Sequence, residues 1–429
     1  MLFQRLRIPL LLLLVAVLIV TAIPTHTQAQ TETTLRYMAY YGGGDAGQWD
    51  FDNITRFDAA HTDISVERES FNIYTQIVPL RHFSRQMNAN FDVFTTLIGG
   101  GMLQNYIEDG QIADITDLWE EMGWFDQYPQ SVIDMASYNG RQYFVPMAFQ
   151  WNPVFYRADI FDDVGIAPPQ TWDELLETCQ TLTDNGYVPF TVAITDWNAP
   201  VLRWFTVLNL RLNGAEFHNA LMRGEESYLD DRVRAVFEHW QEAFDHNCFS
   251  PTKDSISYGG AVDQIKNGDA AMYMLGEWLY ESTDDATEEL LDFFSFPLIN
   301  PDIPRDELVH YYGAFLHANS QNPEAALELL RYLGGPESQL SNVVDGHRAV
   351  ATSAIERSLM PDYQLRGIEF LENAHQIVPL MEVSNLNNNM ANRALNLIST
   401  FYVDLGEQDR IDFVLQGLEA ERLEQVGGE

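Results

Sequence analysis

An α/β fold carrying a parallel or mixed sheet is predicted by three observations. From Thr31 onward, strand-like and helix-like runs alternate in the order βαβαβα, which places helices over the faces of a sheet. The chain has 429 residues, too many for one ordinary core, so two or three lobes are expected. Its 46% apolar and 12% aromatic content is ample for those lobes to pack, and no low-complexity tract interrupts it.

The first segment stands apart from that fold. "MLFQRLRIPLLLLLVAVLIVTAIPTHTQAQ" sets Arg5 and Arg7 before an apolar run from Ile8 to Val20, followed by Thr27 and Ala29 at signal-peptidase spacing. The apolar run is shorter than the roughly 20 residues of a bilayer span. Residues 1–29 therefore read as a secretory signal, with the mature chain periplasmic or extracellular. The segment lacks Cys, so a lipid anchor through it is not expected.

"TTLRYMAYY" alternates as a first strand and meets the Gly-rich "GGGDAGQWD", read as a turn. A helix through "DNITRFDAA" follows, with Ile54, Phe57 and Phe51 expected on one face. "DISVERESF" gives a second strand, "TQIVPLRHFSRQMNAN" a helix, and "FDVFTTLIGGG" a third strand that Gly99, Gly100 and Gly101 end sharply. Then comes a helix stopped by Gly110 and a short helix begun by Thr116. In open α/β sheets ligands collect at the carboxyl ends of strands. Here both such ends are Gly-rich, and neither carries the G-K-[ST] of a phosphate loop.

A hairpin is expected from Tyr138 to Val145, because Asn139-Gly140 is a strong two-residue turn signal. An extended segment through Phe155 and an acidic helix "RADIFDDVG" come next. "APPQTW" is a stiff linker in which Thr171 caps a helix and Glu174 completes a capping box. Further on, "NGDAAMYMLGEWLY" places a helix stop at Gly268, a buried strand through Ala270, Ala271, Met272 and Met274, and Trp278 just past Gly276.

The succession "NGRQYFVP", "FYRADIFDDVGIAPPQTWDEL", "IKNGDAAMYMLGEW" and "YYGAFLHANSQNPEAALELLRYLGGPESQ" resembles the extracellular solute-binding proteins of ABC transporters, in particular the maltose-binding-like cluster. The resemblance covers most of the chain in the right order. It implies a type II periplasmic-binding-protein fold of two α/β lobes joined by crossover strands around a cleft. Residues 31–148 plus 295–345 would form lobe one, and 149–294 plus 346–429 lobe two. The crossovers fall near Met147 to Asn152, Phe294 to Leu298 and Gly346 to Ala349. Hinge closure over a carbohydrate, delivery to a membrane permease, a monomeric state and no cofactor or metal are the corresponding expectations.

Sugars present hydroxyls to polar side chains and C–H faces to aromatic rings. Candidate ligand residues are therefore aromatic or polar groups near strand ends and crossovers. Tyr41 and Trp49 bracket the first Gly-rich loop; Thr96 and Gly99 end the third strand. Gln150, Trp151 and Asn152 occupy the first crossover, and Asp196 and Trp197 lie in "AITDWNAP". Trp278 follows the strand just described, Tyr312 begins the return to lobe one, and Arg348, at the third crossover, is a partner for a ligand carboxylate or hydroxyl.

Charge narrows the partners. The 24 basic and 63 acidic residues give a formal charge of −39, which repels nucleic acid and anionic membrane. Only Lys253 and Lys266 are lysines. Cys179 and Cys248 are equally consistent with a bridge or two buried thiols. No G-x-S-x-G, H-E-x-x-H or C-x-x-C is present, so a binder is expected over an enzyme. A secreted carbohydrate-active enzyme and a sensor adaptor are the alternatives, and a polyol, a glycerol-phosphate-like compound or a peptide the alternative ligands.

Overall fold

The computed structural model describes residues 33–39, 44–70, 91–98, 100–195, 199–346, 348–379, 388–403 and 410–427. The signal segment, the helix expected over "TQIVPLRHFSRQMNAN", and the candidates Tyr41, Gly99, Asp196 and Trp197 lie outside the described residues.

Two sheets organise the chain. The larger runs Ile377–Val378, Glu307–Leu316, Val93–Ile98, Thr33–Ala39, Ile64–Ser70, with Val145–Trp151 also paired to Glu307–Leu316. Thr33–Ala39 pairs in parallel with both of its neighbours, whereas Glu307–Leu316 is antiparallel to Val93–Ile98 and Val145–Trp151. The sheet is thus mixed. All ten residues of Glu307–Leu316 are buried, as befits a strand covered on both faces. The smaller sheet runs Leu291–Phe294, Val154–Arg157, Ala270–Met274, Val188–Phe190. In Ala270–Met274 every residue is buried, and its alanines let flanking helices approach.

Local chemistry explains most boundaries. Asn139 (φ 50°) and Gly140 (φ 76°) form the positive-φ turn that joins Ser137–Tyr138 to Arg141–Gln142. The Thr171 side chain accepts from Glu174 N, and Glu174 reaches back to the Thr171 backbone, so two otherwise orphaned N–H groups are satisfied. Gly268 closes helix Tyr258–Asn267 in the left-handed conformation (φ 75°), while Lys266 in its last turn meets Asp284 at 3.3 Å.

The turn expected at "GGGDAGQWD" is shorter than read from sequence, because the helix already begins at Gly44 and runs to Ala60. Trp49, Ile54 and Phe57 face inward, but Phe51 is 51% exposed. At about 100° per residue, Phe51 is turned roughly 200° from Trp49, and it cannot share that face.

By strand order the chain passes between the sheets twice. Val145–Trp151 ends in the larger sheet and Val154–Arg157 begins in the smaller, so the first passage is at Asn152-Pro153. The second comes after Leu298, whose carbonyl still accepts from Trp172 N at 2.9 Å. Arg211 straddles it: Nε donates to Phe296 O at 2.9 Å and one terminal nitrogen to Glu307 Oε1 at 2.9 Å, and the other bonds Asp306 O. Both ends of the passage are thereby tied to one helix. At the third crossover expected from sequence, Arg348 N donates to Asn342 O at 2.8 Å and Phe149 N to Ala349 O at 3.0 Å, and the next strand, Ile377–Val378, pairs again in the larger sheet. Cys179 and Cys248 are joined by a disulfide with a Cα–Cα distance of 4.9 Å, which resolves the choice that spacing left open.

Candidate functional site at the junction of the sheets

The two strands that meet at the passages, Val145–Trp151 and Glu307–Leu316, alternate in side-chain direction along their length. His310 opposes Gln150 and Val309 opposes Trp151 in the register. Gln150, His310 and Tyr312 accordingly share one face, and Phe149, Trp151 and Tyr311 the other.

The polar face holds a dense buried cluster. Gln150 Oε1 accepts from Tyr312 OH at 2.8 Å and lies 2.6 Å from His310 Nε2. Burial, reinforced by Arg203 and Arg348, pushes His310 well below the usual histidine range, so its ring is neutral and Nε2–H is the donor to Gln150. Asn152 accepts from Arg203 Nε at 2.8 Å. The Arg203 guanidinium lies over the Trp278 ring at 5.2 Å, a cation–π arrangement. Trp278 is half-buried and its ring is 6.3 Å from that of His310. Arg348 packs over Tyr312 at 5.9 Å and meets Glu277 at 3.4 Å and Glu281 at 3.1 Å.

Glu277 is 2% exposed. Burial pushes its carboxyl up to about 8, a rise that Arg348 and the Gln150 side chain oppose and Glu281 reinforces. Its Oε2 has no hydrogen-bond partner among the described residues. The cluster thus combines one half-buried flat ring, neutral amide, hydroxyl and imidazole groups, and compensated charges.

Five residues singled out from sequence meet here: Gln150, Asn152, Trp278, Tyr312 and Arg348. Three others do not join them. Trp151 is fully buried on the opposite face, its ring 5.7 Å from Phe149, 5.9 Å from Phe293 and 6.5 Å from Tyr363. A Cβ on Gly367 would lie 2.6 Å from that ring, so Trp151 fills a slot that only glycine leaves open. Trp49 is in a helix, 4% exposed, against Gly346. Thr96 is fully buried in mid-strand opposite Gly313. Strand alternation accounts for the first, and the early start of helix Gly44–Ala60 for the second.

Gly276 also has a different reason from the one its sequence position suggests. A Cβ there would fall 1.8 Å from Trp278 Cζ3. The glycine makes room for the ring two residues on, which folds back over it.

Arg203, Glu277, Glu281 and His310 belong to the cluster and were not anticipated. A separate cavity of about 560 Å³ lies elsewhere, lined by residues including Leu103, Tyr138, Arg223 and His375; it shares no residue with the cluster.

Comparison with known proteins gives consistent results. The family model of bacterial extracellular solute-binding proteins matches residues 38–340. An uncharacterized ABC transporter extracellular-binding protein of Pyrococcus horikoshii is 26% identical over 246 residues, covering 56% of this chain and 54% of that protein. The chain thus spans about half the length of that relative. The xylose/arabinose-binding protein of Haloferax volcanii is 23% identical over 328 residues, 72% of this chain and 68% of its own. Among solved structures, a bacterial solute receptor with an exclusive preference for β-D-galactopyranose superposes with a TM-score of 0.79 at 22% identity, over 91% of this chain and 98% of that one. That likeness shows the two-lobed fold.

Proposed function

The chain belongs to the family of bacterial extracellular solute-binding proteins, and from that premise we propose that it is the solute-binding component of an ABC importer that takes a carbohydrate between its lobes. The observation that carries this reading is the convergence of Gln150, Asn152, Trp278, Tyr312 and Arg348 where the chain passes between the two sheets. A flat ring beside neutral hydrogen-bonding groups suits the two kinds of surface that a sugar presents. The xylose/arabinose-binding relative and the galactopyranose receptor support the same ligand class.

Ligand binds one lobe, the segments joining the lobes bend, and the second lobe closes over it; a permease then reads the closed shape. Lobe one is assigned the larger sheet and lobe two the smaller, with the boundaries expected at 148 and 294 moved to Asn152-Pro153 and past Leu298, and with Ile377–Val378 counted in lobe one. The protein acts as a monomer outside the cytoplasm after loss of residues 1–29, with no lipid on that segment, and it performs no catalysis and needs no cofactor.

Thermal unfolding and intrinsic tryptophan fluorescence with a panel of mono- and oligosaccharides, amino acids and peptides test the proposal. One sugar at 100 times its Kd stabilises the chain by about 2.7 kcal/mol. A response to amino acids or peptides with silence from every sugar overturns the ligand class. Release of product from a sugar overturns the binder reading.

A further inference from the structure

We infer that the ligand held at this junction is uncharged, and that Glu277 selects it by meeting a ligand hydroxyl while Arg348 is already neutralised by two carboxylates. The inference rests on the binding role proposed above and adds the ligand's charge class to it.

Arg348 is 4% exposed. One terminal nitrogen lies 3.4 Å from Glu277 Oε1 and 3.1 Å from Glu281 Oε1, and the other donates to Glu281 Oε2 at 3.3 Å. A guanidinium flanked in this way has its charge answered inside the protein, which corrects the expectation that Arg348 receives a ligand carboxylate. Arg203, the other cation of the cluster, is turned to Asn152 and to the face of Trp278. The formal charges of Arg203, Arg348, Glu277 and Glu281 cancel, and Gln150, His310 and Tyr312 add none.

Among the described residues, Glu277 Oε2 and His310 Nδ1 are buried cluster atoms with no hydrogen-bond partner, and with Nε2 holding the ring proton His310 Nδ1 is also an acceptor. A buried carboxyl oxygen left alone costs free energy, and a group that donates a hydrogen bond recovers it. A sugar hydroxyl donates. A carboxylate or phosphate only accepts, and it would set a second negative charge against Glu277 and Glu281 in a poorly hydrated site. Burial pushes the Glu277 carboxyl up to about 8, so the charges balance in this way above that pH, where the carboxyl is ionised.

The test is calorimetry at pH 9, where Glu277 is ionised, on the secreted chain, using the tightest neutral sugar from the panel and the uronic acid that differs from it only in the terminal carboxylate. The neutral sugar is expected to bind at least 100-fold more tightly. Glu281→Gln, whose wild-type side chain is 34% exposed, releases part of the charge on Arg348 and is expected to narrow that ratio at least threefold. Glu277→Gln/Glu281→Gln is expected to narrow it at least tenfold. Equal or tighter binding of the uronate by the unaltered protein overturns the inference and leaves carbohydrate binding standing. A ratio unmoved in Glu281→Gln also overturns it, even where the double variant does not fold. Binding of neither sugar overturns the functional proposal itself.

Discussion

The two faces of one strand pair have opposite chemistry. On one, Phe149, Trp151 and Tyr311 close against Phe293, Tyr363 and Gly367 with no charge among them. On the other, one residue further along each strand, Gln150, Asn152, His310 and Tyr312 carry a hydrogen-bonded network edged by two arginines. The backbone is shared, so the difference is only which way each side chain points. The apolar face holds the passage in shape, and the polar face is the one we propose to receive the ligand.

That contrast gives a graded set of tests. Trp151→Ala removes the largest side chain of the apolar face and is expected to cost about 3–5 kcal/mol of stability, read by denaturant unfolding. Its failure to do so would break the comparison outright. Trp278→Ala is expected to weaken sugar binding about thirtyfold, or about 2 kcal/mol, with a smaller loss of apo stability. The reverse pattern would move Trp278 to the apolar class.

The pH dependence of stability sharpens the contrast. Glu277 titrates from 4.5 in the unfolded chain to about 8 in the folded one. Its stabilising contribution is complete below pH 4.5 and is lost as pH rises towards 8, because only the folded chain keeps the proton in that interval. The slope is at most about 1.4 kcal/mol per pH unit. His310 acts in the opposite sense, since its lowered affinity for protons makes stability fall as pH drops below 6.5. The window from 6.5 to 8 lies above the interval in which His310 acts, and Glu277→Gln is expected to flatten the decline there in thermal unfolding profiles. Smallest is Tyr312→Phe, which deletes one bond to Gln150 while His310 still reaches the same oxygen. About 1 kcal/mol is expected in denaturant unfolding.

Much of this was legible before any coordinates. Alternating runs identify the strands, and Asn139-Gly140, Thr171 with Glu174, and Gly268 mark their boundaries because each is a local backbone requirement. Gln150 and Tyr312 were singled out because they sit at a passage and near a strand start, and they meet in the structure. Trp151 was misplaced because proximity in sequence says nothing of the face; reading Gln150 and Trp151 as alternate would have separated them. His310 was within reach by the same rule, two residues before Tyr312. Arg203 also left a trace, as a lone charge in "APVLRWFTVL", where residues 201–210 are all buried. Glu277 and Glu281 gave less warning among 63 acids. Their role depends on Arg348, some 70 residues later, and no local pattern encodes that meeting.

Lys266, at the end of helix Tyr258–Asn267, is one of only two lysines, and the other, Lys253, lies 13 residues earlier. Amine-reactive chemistry is therefore confined to Lys253, Lys266 and the chain's own amino terminus. A dye attached to either lysine reports from one lobe alone, without engineered cysteines that would compete with the Cys179–Cys248 bridge. The scarcity of lysine, a property of the whole surface, makes this protein a ready scaffold for an optical reporter of its own closure.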